Sequence, residues 1–273
     1  MTDIIKILLD EKEMKLKGRL YHYTQINFAY NSNHIEGSSL TEDETRYIYE
    51  TNSLLSSGEK AIPIDDITET KNHFKCFDYI LESISEPLSE KIIKELHKIL
   101  KSNTSDSEKE WFAIGDYKKR RNFVGDNKTT SPDKVQKEIR ELLENYNENK
   151  EKKSLETLAD FHYKFEKIHP FQDGNGRVGR LILFRECLKN DIIPFVIDES
   201  HRAFYYRGLK NYEQEKGWLI DTLLSCQDKY KDILKQLGVT NSCVNKIENM
   251  KLNKENKSWD SKNKQSKGFG IDE

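Results

Sequence analysis

The chain has 273 residues, 35% hydrophobic and 34% charged, with 45 Lys and Arg against 47 Asp and Glu for a formal charge of -2. That length can bury a substantial core in one large domain or two small ones, and near-neutrality argues against a dedicated nucleic-acid binder, whose affinity comes largely from neutralising phosphates. No apolar run approaches the ~20 residues of a membrane span, and the first residues, MTDIIKILLDEKE, are acidic where a signal peptide is basic; a soluble, cytoplasmic protein without a membrane partner is expected, with a secreted or host-delivered role left open.

Apolar residues recur at three- and four-residue spacing in most windows while alternating runs are scarce, which predicts an all-α protein. In chain order, helices are expected at about 3–17, 20–36, 41–56, 66–85, 88–101, 132–148, 154–168, 175–190, 200–215 and 217–237. Thr41 with Glu44 reads as a capping box, Ser154 as an N-cap and Pro132 as a first-turn residue. Residues 114–132, IGDYKKRRNFVGDNKTTSP, break the pattern with two glycines, a basic run and a proline, and predict a small hairpin. The run Lys118 to Arg121 reads as a solvated or partner-docking edge rather than a nucleic-acid patch. From about Asn241 the chain is rich in Asn, Lys, Ser and Glu with few apolar anchors, as in a mobile tail.

Cys76, Cys187, Cys226 and Cys243 are dispersed without CxxC spacing, so neither a zinc cluster nor a disulfide framework is expected; Cys187 and Cys226 read as small core residues. His22, His34, His73, His97, His162 and His201 show no HExxH or similar spacing, and His162 reads as a packed core histidine.

Residues 168–180, IHPFQDGNGRVGR, crowd an imidazole, a carboxylate, a carboxamide, two guanidiniums and three glycines between helical flanks. Each glycine weakens a helix by about 1 kcal/mol relative to alanine, so the segment needs an account. Gly174-x-Gly176-x-x-Gly179 has dinucleotide-fingerprint spacing, but that fingerprint follows a buried strand, and LETLADFHYKFEKI before it has helical periodicity. No GxxxxGK[ST] stretch is present. A purely structural loop would employ Pro170, Asp173 and the glycines but leave His169, Asn175, Arg177 and Arg180 without a task.

A chemical reading accounts for all of them. Glycines make the N–H groups of a helix N-terminus approachable, which creates an anion site. Arg177 and Arg180, three residues apart, project from the same first turn toward phosphate oxygens. Asp173 can hold Mg²⁺ against the same phosphates, and His169 can take a proton from an attacking hydroxyl. These parts suit phosphoryl or nucleotidyl transfer. The next stretch, RVGRLILFRECL, is apolar nearly all round, as in a central buried helix.

At every specified position HPFQDGNGRVGR resembles the Fic-domain signature, HPFx[D/E]GNGRxxR. Gly115, Tyr117, Lys118, Phe123-Val124-Gly125 and Ser131-Pro132 look like that family's flap, with Lys118 where arginine is more usual. Arg202, Tyr205, Gly208 and Leu209 follow its R-x-x-Y-x-x-[A/G]-L pattern. The resemblance implies a Fic fold, a helical bundle around a central buried helix with a small β-hairpin flap, and transfer of AMP from ATP to a Ser, Thr or Tyr hydroxyl of a protein, self-modification included. It implies His169 as the base, Asp173 as the Mg²⁺ ligand, Gly174, Asn175 and Gly176 as the anion hole, and Arg177 and Arg180 on the β- and γ-phosphates. Val124, Gly125, Asp126 and Asn127 would clamp the nucleotide, and Tyr205 and Tyr206 would line the adenine side.

Glu36 sits in the last turn of a helix, just before Gly37, where a carboxylate opposes the helix dipole. Local sequence alone favours a solvated side chain. Ser32-x-x-x-Glu36-Gly37, however, is similar to the family's inhibitory motif, [S/T]xxxE[G/N], which implies that Glu36 competes with the γ-phosphate for Arg180. The expected organisation is therefore an N-terminal helical region over 1–87 carrying an inhibitory helix at about 20–37, a Fic domain over 88–237 and a polar tail over 238–273. Control through a homo-oligomer interface would be natural if that helix must be displaced. Alternatives are removal of AMP, transfer of another phosphate-containing group, or a non-catalytic nucleotide-binding regulator.

Overall fold

In the computed structural model, residues 3–54, 61–125, 127–148 and 151–239 are described. Four helices begin where a side-chain oxygen accepts a first-turn N–H group. The reciprocal capping box of Thr41 and Glu44 starts α3 (Glu42–Thr51), Ser89 caps α5 (Glu90–Lys101), Ser154 caps α7 (Leu155–Ile168) and Asp198 caps α9 (Glu199–Lys210). The other helices are α1 (Asp3–Glu13), α2 (Leu20–Ile35), α4 (Ile64–Glu82), α6 (Pro132–Glu148), α8 (Asn175–Lys189) and α10 (Gly217–Gln236). Pro132 occupies the first position of α6, as expected.

The all-α expectation holds. Among the described residues the one sheet is a hairpin of β1 (Phe123–Val124) and β2 (Asn127–Lys128), paired Phe123 to Lys128 and Val124 to Asn127. Gly125 has φ +57 in its two-residue loop, the left-handed geometry such loops require. The helices that stop furthest short of expectation are α1, α3 and α9. Lys15 turns left-handed (φ 53) after α1 and Asn52 (φ 55) after α3, while α9 ends at Lys210. The expected tail over 238–273 falls, apart from Gly238 and Val239, outside the described residues, as does Cys243; Cys187 and Cys226 are buried.

Helix α8 is buried at every residue except Gly176 and Lys189, and α2, α4, α5 and α7 pack around it. Deep within it, Arg185 and Glu186 are paired, as buried charges must be. Arg185 pairs with Glu186 and donates to the Glu86 carbonyl at 2.7 Å, while Glu186 accepts from the Tyr146 hydroxyl at 2.7 Å. One continuous core runs from Ile4 and Leu8 through Phe28, Phe77 and Phe184 to Leu234.

Where α9 meets α10, the helices approach at a glycine. A Cβ on Gly208 would lie 2.7 Å from the Leu219 Cα and 2.9 Å from its amide nitrogen, and backbone cannot move aside as a flexible side chain would. Gly208→Ala is expected to cost about 1–3 kcal/mol, read as a lower unfolding midpoint in denaturant; an unchanged midpoint would show that the two helices can separate cheaply.

Candidate active site

The segment between α7 and α8 is fixed from several sides. His169 ends α7 in the left-handed conformation (φ 53, ψ 62), its N–H on the Phe165 carbonyl at 3.0 Å. Pro170 accepts the Lys118 N–H at 2.9 Å, and Asn122 Nδ2 donates to the Phe171 carbonyl at 2.9 Å. The Phe171 ring stacks on His97 at 4.0 Å, and His97 Nδ1 in turn accepts the Gly115 N–H at 3.0 Å. Asn175 turns both ends of its amide back to Phe171, Oδ1 to the N–H at 2.7 Å and Nδ2 to the carbonyl at 2.9 Å. Its side chain therefore braces the loop, and only its backbone is left to meet an anion.

Gly174 caps α8 at φ +79, where a Cβ would be strained and would crowd Leu100 Cδ2 at 3.2 Å. The first helical bond is from the Val178 N–H to the Gly174 carbonyl at 3.0 Å, so the N–H groups of Asn175, Gly176 and Arg177 precede the ladder. Positive helix-end charge and those donors together could receive an anion.

Asp173 lies at the mouth of this turn, with 48% of its side chain exposed. Its Oδ2 accepts from Lys101 Nζ at 2.8 Å and Arg177 NH2 at 3.0 Å. Burial works to raise the carboxyl, but the charges of Arg177 and Lys101 prevail and hold it below the usual carboxylate range. Arg177 also pairs through NH1 with Glu69. Arg180, below the turn, donates from Nε to Ser32 Oγ at 3.0 Å and from NH2 to the Ser32 carbonyl at 2.8 Å and to Glu36 Oε1 at 2.7 Å. Glu36 lies over the turn closely enough that a Cβ on Gly176 would meet its Oε1. So Glu36, the C-cap residue of α2, is not the solvated side chain that local sequence favours. Ser32 and Glu36 share one guanidinium, where the resemblance implied a contact from Glu36.

Burial, then the charge of Lys118, lowers His169 to about 4, so its imidazole is neutral at physiological pH and able to accept a proton. A histidine whose folded value lies below its unfolded value binds fewer protons when folded, so its contribution to stability is lost as pH falls from about 6.5 toward 4. Titration of the His169 ring by NMR is expected to show a midpoint well below 6; a midpoint at or above 6.5 would refute the buried, neutral imidazole.

Other expected residues are placed unevenly. The Tyr205 ring is 1% exposed, its hydroxyl 2.7 Å from His162 Nε2 and in contact with Arg180; it supports the arginine from beneath rather than offering a face to a base. His162 is buried, as expected, but engaged by that hydroxyl. Tyr206 is 43% exposed and its hydroxyl reaches the Ile35 carbonyl at 3.4 Å. In the hairpin, Val124 and Gly125 are exposed and the Asn127 backbone pairs with Val124, whereas Asp126 lies outside the described residues. Lys118 corrects the reading of the basic run as a solvated edge. It is 2% exposed, with Nζ on Asn122 Oδ1 at 2.7 Å and Thr129 Oγ1 at 2.6 Å, and burial lowers it to about 8. Lys119, Arg120 and Arg121 are exposed.

Sequence reasoning missed three residues beside the site, Glu69, Lys101 and Glu166. Glu166, one turn before His169, abuts Gly179; burial raises its carboxyl to about 8 against the opposing charge of Arg180. In sequence each is one more charge on a charged helix, and nothing local sets it apart.

A family model described as the Fic/DOC family matches residues 87–186. The chain carries a Fic domain. A protein adenylyltransferase Fic of Nematostella vectensis is 28% identical over 183 residues, covering 66% of this chain and 41% of that protein. The protein adenylyltransferase fic-1 of Caenorhabditis elegans is 25% identical over 195 residues, covering 70% of this chain and 37% of that protein. The chain thus spans about two fifths of the length of these curated relatives. Among solved structures, a Fic-domain-containing signalling protein from Bacteroides thetaiotaomicron superposes with a TM-score of 0.68 at 23% identity, covering 83% of this chain and 93% of that one. Caenorhabditis elegans Fic-1 superposes with a TM-score of 0.67 at 19% identity, covering 85% of this chain and 72% of that one. These likenesses show the Fic fold.

Proposed function

We propose that this chain is a protein adenylyltransferase that moves AMP from ATP to a Ser, Thr or Tyr hydroxyl of a protein, itself included, and that Glu36 restrains it. One observation carries the reading: a neutral imidazole, an ionised carboxylate and two guanidiniums surround the unpaired N–H groups at the start of a rigid, buried helix. The relatives named adenylyltransferases support it.

In this reading the target hydroxyl gives its proton to His169 as its oxygen attacks the α-phosphorus; the bond to the β-phosphate oxygen breaks and pyrophosphate leaves. First-turn N–H groups, Arg177 and Arg180 hold the phosphates and take up the developing charge. Asp173 is the residue that would hold Mg²⁺. Mg²⁺ takes one or two carboxylates and draws its remaining ligands from phosphates and water. Bound there, the ion would neutralise phosphate charge.

Release of the restraint is a local event at the end of α2 in this reading. Helix α2 buries Leu20, Ile26, Phe28 and Ile35, and exposing such side chains costs about 1.5–3 kcal/mol each, too much for withdrawal of the whole helix. Glu36 itself is 29% exposed in its side chain and can swing away alone.

The test is intact mass after incubation with Mg²⁺ and ATP. An adduct of about 329 Da is expected only for AMP transfer. No adduct on the chain, on its Glu36→Gly variant or on added candidate proteins, with ATP shown to bind, would refute the reading. An adduct of another mass would replace AMP with another phosphate-containing group.

A further inference from the structure

Around Asp173 and Arg177 the charges close into a ring of alternating sign. Lys101 Nζ meets Asp173 Oδ2 at 2.8 Å and Glu69 Oε1 at 2.5 Å; the other oxygen of Glu69 takes Arg177 NH1; Arg177 NH2 returns to Asp173 at 3.0 Å. Asp106 adds a third carboxylate to Lys101 at 2.6 Å. The supporting members are enclosed, with side-chain exposures of 3% for Lys101, 5% for Arg177 and 13% for Glu69, while Asp173 opens outward. One turn beyond Glu69 on α4, Asn72 Nδ2 donates to the carbonyls of Leu100 at 3.0 Å and Ser102 at 2.7 Å, the residues on either side of Lys101. Helix α4 thus grips the end of α5 by its backbone and its ammonium together.

We propose that Glu69 and Lys101 are positioning residues of the nucleotide site, fixing the Arg177 guanidinium and the Asp173 carboxylate in the orientation that receives Mg²⁺ and phosphate. The inference rests on the function proposed above. Lys101 draws one oxygen of Asp173 toward the protein, which presents the other to the opening. Glu69 anchors one edge of Arg177, so that the remaining N–H groups are aimed without a loss of side-chain freedom on binding. Helix α4 lies upstream of the matched residues 87–186. The N-terminal region therefore supplies two opposite things to the site: a restraint from α2 at Glu36, and a strut from α4 at Glu69. Losing that region would remove both.

The test uses the full chain carrying Glu36→Gly, so that Arg180 is open, and measures calorimetric binding of ATP with Mg²⁺ beside the thermal midpoint of the unliganded protein. Adding Glu69→Gln, or Lys101→Met, is expected to weaken ATP about ten- to a hundredfold, raising KM more than it lowers kcat; Lys101→Arg is expected to restore most of the affinity. Should Lys101→Met fail to fold, Glu69→Gln, nearly equal in shape, decides alone. Affinity within twofold of the Glu36→Gly parent would overturn the proposal, even with a changed midpoint, since a merely structural role moves stability alone. Tighter binding would overturn it too, by making Glu69 a second competitor for phosphate. If the Glu36→Gly parent itself binds no ATP, the nucleotide site falls and this proposal with it.

Discussion

Replacing Glu36 with glycine is expected to raise AMP transfer about five- to a hundredfold, the range of a coupling free energy of 1–3 kcal/mol. The largest single reason is competition for one guanidinium. Arg180 is buried, and the part of its guanidinium not taken by Ser32 already holds Glu36, with Oε1 2.7 Å from NH2. The carboxylate also lies over Gly176, where a first-turn N–H would meet phosphate. Ser32 stays in the variant and continues to orient Arg180 through Nε and NH2. Removing one partner from a buried ion pair costs about 3–5 kcal/mol; with Glu36 partly exposed, a smaller loss of about 1–2 kcal/mol is expected. The variant should therefore melt lower without nucleotide and recover stability when ATP is added. Labelled ATP followed into the chain measures the gain. Transfer no faster than the parent's, with ATP bound equally by both, would refute the restraint.

His169→Ala, made in the Glu36→Gly background, is expected to lower transfer about 10²- to 10⁴-fold, the usual contribution of a positioned general base. ATP affinity should change little, because His169 sits at the end of α7, before the turn that meets phosphate. The split between binding and rate is the informative result. A variant that loses ATP affinity and rate together would show that the imidazole shapes the loop rather than taking a proton. A variant with unchanged rate would remove His169 from the chemistry.

Much of the molecule was legible in the sequence because the signals are local. Periodicity marked ten helices, and capping chemistry at Thr41 and Ser154 fixed two of their starts. Residues 168–180 carry the site within a single turn, so the types and spacing of its side chains state its chemistry. Glu36 was a different matter. Its pairing with Arg180 spans 144 residues, and only the likeness of Ser32-x-x-x-Glu36-Gly37 to a family motif pointed across that distance.

By itself, then, the sequence determined the helices, the hairpin and the turn from His169 to Arg180, all of which depend on neighbours a few residues apart. Tertiary structure alone decided which charges stand behind that turn. Glu69 reaches Arg177 across 108 residues and Lys101 reaches Asp173 across 72. Lys118, drawn in a basic run, is buried beneath the hairpin, and Tyr205 lies under Arg180. On isolated helices Glu69, Lys101 and Tyr205 would face water. The rotation of α4 and α5 against α8, set by packing of their apolar faces, chooses which charges are enclosed and paired.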